Sequence, residues 1–110
     1  MIGKEAPLRL SEGRARPAPV DAYRQGNEFK IELDLPGADP GSIDLTVEKD
    51  VLTVRGSRTV LWDKTAEVLL GERGHGQFGR QLFLGEGLDR DQITAIYHDG
   101  VLIVTIPVAG

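Results

Sequence analysis

Gly74 to Gly79 spell G-H-G-Q-F-G, a literal G-x-G-x-x-G. Dinucleotide binding by that pattern needs a strand before it and a helix opening on its last glycine, so that pyrophosphate meets the helix N-terminus. Here the strand-like run R-Q-L-F-L follows instead, so the glycines read as a loop between strands and no cofactor is expected. His75 and His98 are the only histidines. They form no closely spaced ligand pair, and both read as exposed loop or strand-end residues rather than metal ligands. Asp89 to Asp91, D-R-D, lack the D-x-D-x-D-G spacing of a calcium loop and read as a solvated turn. No G-x-S-x-G surrounds Ser11, Ser42 or Ser57. Other carboxylates lie on polar strand faces, where solubility accounts for them, and nothing selects a catalytic pair. Trp62 is expected to pack, and Arg80 to pair with a carboxylate. No catalytic, cofactor-binding or metal-ligating residue is therefore expected, and the chain is not read as an enzyme.

Composition narrows the classes further. The 110 residues suffice for one domain. Lys plus Arg number 13 against 17 Asp plus Glu, a formal net charge of −4. That balance disfavours a phosphate backbone as partner, and more weakly an anionic membrane surface. The absence of cysteine excludes disulfides and thiolate sites. No apolar run approaches the length of a spanning helix, and the opening M-I-G-K-E-A-P-L-R-L lacks the apolar centre of a secretion signal. A cytoplasmic location is expected, with neither nucleic acid nor membrane as partner.

Such loops must be held by short strands. Fourteen glycines and six prolines disfavour long helices. Phe29, Ile31, Leu33 and Leu35 alternate with Glu28, Lys30, Glu32 and Asp34, the period-two signature of a strand with one buried face. Ile43, Leu45 and Val47 alternate likewise, and Lys49-Asp50 turns the chain into a run with Leu52 and Val54 on one face, which makes a hairpin. Further strands are expected at 18–23, 78–84 and 93–98, with Asp99-Gly100 a hairpin turn. The run Val101 to Ile106 is almost wholly apolar, as if both faces were covered. Residues 1–17 show no periodicity and read as a flexible arm. Residues 59–70 are ambiguous: Trp62, Ala66, Leu69 and Leu70 have nearly helical spacing, but the piece is short and uncapped. The tally is an all-β, antiparallel sandwich or barrel of seven to eight strands.

What stands out is apolar surface without a home. Trp62, Val68, Leu69 and Leu70 lie in a segment too short for its own core, and sandwiches expose sheet edges that need a cover. Both features point to self-association or to binding of extended peptide.

Four segments carry a resemblance. D-L-P-G (34–37), L-T-V-R-G (52–56), F-G-R-Q-L-F-L (78–84) and D-G-V-L-I-V-T-I-P (99–107) occur in the order found in the α-crystallin domain of small heat-shock proteins, the Hsp20 family. P-V-D-A-Y (19–23) resembles that family's opening strand, and the likeness covers residues 18–108. It implies an immunoglobulin-like β-sandwich and an ATP-independent holdase that keeps partly unfolded client proteins from aggregating. It also implies a homodimer in which loop 57–71 crosses to a partner's opening strand. The corresponding interface residues are Val20, Ala22, Tyr23, Val60, Leu61, Trp62, Val68, Leu69 and Leu70. A second implied surface is a groove between two edge strands that accepts I-x-I/V motifs. Its inward residues, by alternation, are Ile43, Leu45 and Val47 facing Ile93, Ala95 and Tyr97. Ile106-Pro107-Val108 matches that motif literally, but it continues the last strand and reads as a false match. Many relatives carry a second arginine and a following proline where this chain has Phe83 and Gly85. Residues 109–110 read as a tail. The short flanks suggest an isolated core, with larger oligomers expected only where longer flanks are present. The competing reading is a co-chaperone-like sandwich that docks on another chaperone, which the long 59–70 segment disfavours.

Overall fold

The structure, a computed structural model, describes residues 15–109. The alternation of residues 28–35 becomes β3 (Glu28–Asp34). Ile31, Leu33 and the following Leu35 have no solvent exposure, as one inward face requires. β8 (Val101–Pro107) runs antiparallel beside it, matching Leu33 with Leu102, Ile31 with Val104 and Phe29 with Ile106. Large apolar side chains thus stand in rows, each buried one contributing roughly 1.5–3 kcal/mol against the entropy of ordering. β2 (Val20–Gln25) lies outside β3 and β7 (Thr94–His98) outside β8, giving the order β2-β3-β8-β7.

The second sheet has the order β1-β6-β5-β4. Its strands are β1 (Ala15–Pro17), β4 (Asp44–Glu48), β5 (Val51–Arg58) and β6 (Gly76–Phe83). Leu52 and Val54 of β5 and Phe78 of β6 pack against the first sheet to close the core. All ladders are antiparallel except β1 on β6. The all-β sandwich expected from the alternation is therefore what forms, with no α-helix among the described residues. The Asp99-Gly100 turn has φ of 54° and 79°, the paired left-handed geometry of a type I′ hairpin.

β1 and β2 follow one another in the chain and stand first in their sheets, so β4 and β7, last in each, share the opposite flank. At the β1–β2 crossing Ala18 is buried and donates its N–H to the Gly79 carbonyl at 3.3 Å.

Five of the sequence readings are refined or corrected by the structure. The arm expected over 1–17 mostly lies outside the described residues, but 15–17 form β1, because the edge of β6 offers unpaired backbone groups. Residues 59–75 carry neither helix nor strand. Asp63 accepts from the Thr65 N–H and hydroxyl, a local turn that competes with helix formation. The outer face of β8 is not covered: Leu102, Val104 and Ile106 are buried, while Val101, Ile103 and Thr105 are only half-buried. Arg80 pairs with no carboxylate among the described residues; its guanidinium donates to the Ala18 carbonyl at 3.1 Å and ties β6 to the crossing. Ala109, expected as tail, donates to the Gly87 carbonyl at 2.7 Å.

Candidate peptide groove and dimer surface

The β4–β7 flank is built by two edge strands from different sheets, each paired on one side only among the described residues. Ile43, Leu45 and Val47 are half-buried and pack on the core, as do Ile93 and Tyr97 from the other wall. Ala95 has the same parity but is exposed, because its methyl group is too short to reach the core. Ile96, of opposite parity, points outward and is 65% exposed. The six residues expected on facing walls thus lie on one flank. Ile106 of the literal I-P-V is fully buried, so this copy of the motif is core.

Each end of the flank is tied by polar contacts that the alternation pattern does not show. At the Ile43 end, the Tyr97 hydroxyl donates to the Leu35 carbonyl. Gly56 there stands close to Ile43, Ala38 and Leu35. At the Val47 end, the β4–β5 turn meets the β6–β7 connection, where the Leu84 N–H donates to the Asp50 carbonyl at 2.7 Å. Arg90 reinforces this junction. Its Nη2 lies 3.1 Å from Asp50 Oδ1 and 3.2 Å from each of the Leu84 and Gly85 carbonyls. The D-R-D segment is therefore more than a solvated turn. The only sequence signal was a lone cation among turn residues, and its partner lies forty residues away.

The second surface gathers on β2 and the 59–75 loop. β2 pairs only with β3 among the described residues, leaving its other edge open. Val20 is half-buried against the core, whereas Ala22 is exposed although its register partner Ile31 is completely buried. The opposing sheet therefore leaves the inner side of β2 uncovered beyond Val20. Tyr23 lies on the outer side and donates its hydroxyl to Glu32 Oε2 at 2.6 Å. That bond, with nearby negative charge, raises the phenol above its ordinary pKa.

The loop holds the remaining interface candidates, all exposed. Leu61 is 92% accessible, Leu69 87% and Leu70 77%, with Val60, Trp62 and Val68 less so. Trp62 meets the His75 ring edge-on at 6.0 Å between centroids. Arg58 anchors both roots of the loop: it donates to the Pro36 and Gly74 carbonyls and lies 5.0 Å over the Phe78 ring. The unpaired segment is 59–75, a little later than the 57–71 expected, because β5 extends to Arg58.

Other candidates come together nowhere. His98 pairs with its neighbour Asp99 at 3.1 Å on the surface. Among the described residues no three His, Cys, Asp or Glu side chains cluster as a metal site would require. No helix there is long and apolar enough to cross a membrane.

A family model described as Hsp20/alpha crystallin family matches residues 21–110. The chain is 56% identical over 99 residues to 18 kDa antigen 2 of Mycobacterium avium, covering 88% of this chain and 71% of that protein. It is 39% identical over 92 residues to an 18 kDa heat shock protein of Streptomyces albus G, covering 83% of this chain and 64% of that one. The crystal structure of hspA from Xanthomonas axonopodis superposes with a TM-score of 0.72 at 35% identity, over 84% of this chain and 93% of that chain. The chain spans roughly two thirds of the length of such curated relatives, 64% and 71% for the two named.

Proposed function

The chain belongs to the Hsp20/alpha-crystallin family of small heat-shock proteins, and from that premise we propose that it is an ATP-independent holdase of the cytoplasm. It binds partly unfolded proteins and suppresses their aggregation. Family membership supports a chaperone role. The observation that carries the finer reading is the apolar surface the sandwich leaves in water: Leu61, Leu69, Leu70 and Phe83 are each more than three-quarters exposed. Large exposed apolar side chains on a soluble protein are common where it meets a partner. Exposed apolar side chains and open strand edges are what an unfolding client, itself rich in both, can bind.

The working unit is a homodimer in which loop 59–75 of each copy pairs with β2 of the other. Among the described residues Ala22 lacks a cover and β2 pairs on one edge only, while Leu61, Leu69 and Leu70 of the loop stand in water. A mutual exchange satisfies both needs and closes with two-fold symmetry. The β4–β7 groove takes an I-x-I segment from another chain, two branched side chains seated between the walls. Assembly beyond the dimer follows from longer flanks carrying such segments.

The test is light scattering of a heat-stressed client without nucleotide. A holdase lowers the scattering in proportion to its concentration. Binding to one folded chaperone with no effect on the client would instead favour the co-chaperone reading.

A further inference from the structure

We propose that Arg90 is the positioning residue that sets the separation of the two groove walls, through its ion pair with Asp50. This rests on the reading of the β4–β7 flank as a peptide groove. β4 and β7 belong to different sheets and share no ladder, so no backbone bond between them fixes their spacing. Their spacing is held at the ends. Asp50 lies in the turn that closes β4, and Arg90 opens the 3-10 turn (Arg90–Gln92) that leads through Ile93 into β7. The guanidinium joins these two segments, 3.1 Å from Asp50 Oδ1, and is held in place by the Leu84 and Gly85 carbonyls.

The surroundings suit a fixed post. The Arg90 side chain is 26% exposed, against 71% for Asp50, so the cation is the anchored partner and the carboxylate the one brought to it. Asp89 caps the 3-10 turn by accepting from the Asp91 N–H at 3.2 Å, which holds the backbone around Arg90. Val47 and Ile93, nearest this junction, are half-buried and depend on its position for their facing distance. A loosened junction lets them close onto the core or part, and either change spoils a site shaped for a branched side chain. Surface ion pairs usually contribute little to stability. The role inferred here is placement, which a stability measurement alone would not reveal.

The test uses the full chain and an uncharged, end-capped peptide containing Ile-x-Ile, with dissociation constants measured by calorimetry. Arg90→Ala is expected to weaken binding roughly tenfold, the scale of a lost charge-assisted contact. Asp50→Asn should weaken it by a smaller factor, and Arg90→Lys should recover part of the loss. Raising salt from about 50 to about 500 mM should weaken wild-type binding but leave Arg90→Ala unchanged, since the peptide itself carries no charge. Circular dichroism reports whether each variant folds; if Arg90→Ala does not, Asp50→Asn, Arg90→Lys and the salt response decide. Affinities within twofold of wild type for the folded variants, with no salt response, would overturn the role of Arg90. Ala95→Arg separates the underlying reading. If that variant binds peptide as wild type does, the groove assignment itself has failed; if it alone abolishes binding, only the role of Arg90 has.

Discussion

The Tyr97 hydroxyl donates to the Leu35 carbonyl across a separation of 62 residues. One aromatic side chain thereby joins the β7 edge strand to the segment leaving β3. Leu35 itself is fully buried, and its N–H donates to the Gly100 carbonyl at 2.8 Å. The bond anchors one end of the proposed groove to the core.

Tyr97→Phe keeps the ring and removes only the donor. The expected cost is about 1 kcal/mol. For a domain of this size that lowers the melting temperature by roughly 4–8 °C. Calorimetric melting of the two proteins checks it, and an unchanged midpoint would show that solvent replaces the bond without loss.

Two glycines should respond oppositely to alanine. Gly100 has φ of +79°, and an added Cβ would stand 3.3 Å from the Pro36 Cα. Gly100→Ala should destabilise by about 1–2 kcal/mol. Gly56 needs no left-handed backbone, and its added Cβ would come no closer than 3.6 Å to Ile43, an ordinary contact. Gly56→Ala should be neutral or stabilising by up to about 1 kcal/mol. Urea denaturation midpoints distinguish the two.

Removal of residues 59–70, with a short Gly-Ser bridge from Arg58 to Gly71, should convert dimers to monomers in sedimentation velocity. Trp62 is the sole tryptophan. In the intact chain its emission should therefore shift to the red on dilution as the loop leaves its partner. A bridged variant that still sediments as a dimer would remove this loop from the interface.

The Tyr23–Glu32 bond gives a pH signature. Its phenol is raised, chiefly by that hydrogen bond and then by local burial and negative charge. A raised group contributes its stabilisation in full below the ordinary tyrosine range, and the contribution is lost as pH rises through the elevated value. In a Tyr97→Phe background, tyrosinate absorbance reports Tyr23 alone. Glu32→Gln should lower its titration midpoint toward the ordinary value.

The sandwich was legible in the sequence because alternation is local. Ile31, Leu33 and Leu35 declare a buried face within a few residues, and the structure buries all three completely. The apolar run of Val101 to Ile106 misled, since β-branched residues suit the outer face of a central strand as well as the inner. Once the resemblance had named the two strands of the proposed groove, parity chose which of their residues face inward. Parity could not reach Arg90 and Asp50, because an ion pair between two turns has no period. The resting place of 59–75 was equally beyond local reading, since Leu61, Leu69 and Leu70 stay in water and no strand pairing fixes the segment among the described residues.

The central ladder of one sheet pairs Glu28 with Pro107 and Asp34 with Val101, the early part of the domain with its far end. A chain emerging from the ribosome cannot close that sheet until residue 107 has left the exit tunnel. Until then Ile31 and Leu33 of β3, fully buried in the finished fold, wait without the neighbour that covers them, and such non-local pairing folds slowly and with aggregation-prone edges bare. During its own synthesis this protein is in the condition of the clients proposed for it, so the proposed holdase activity would extend to its own nascent chain.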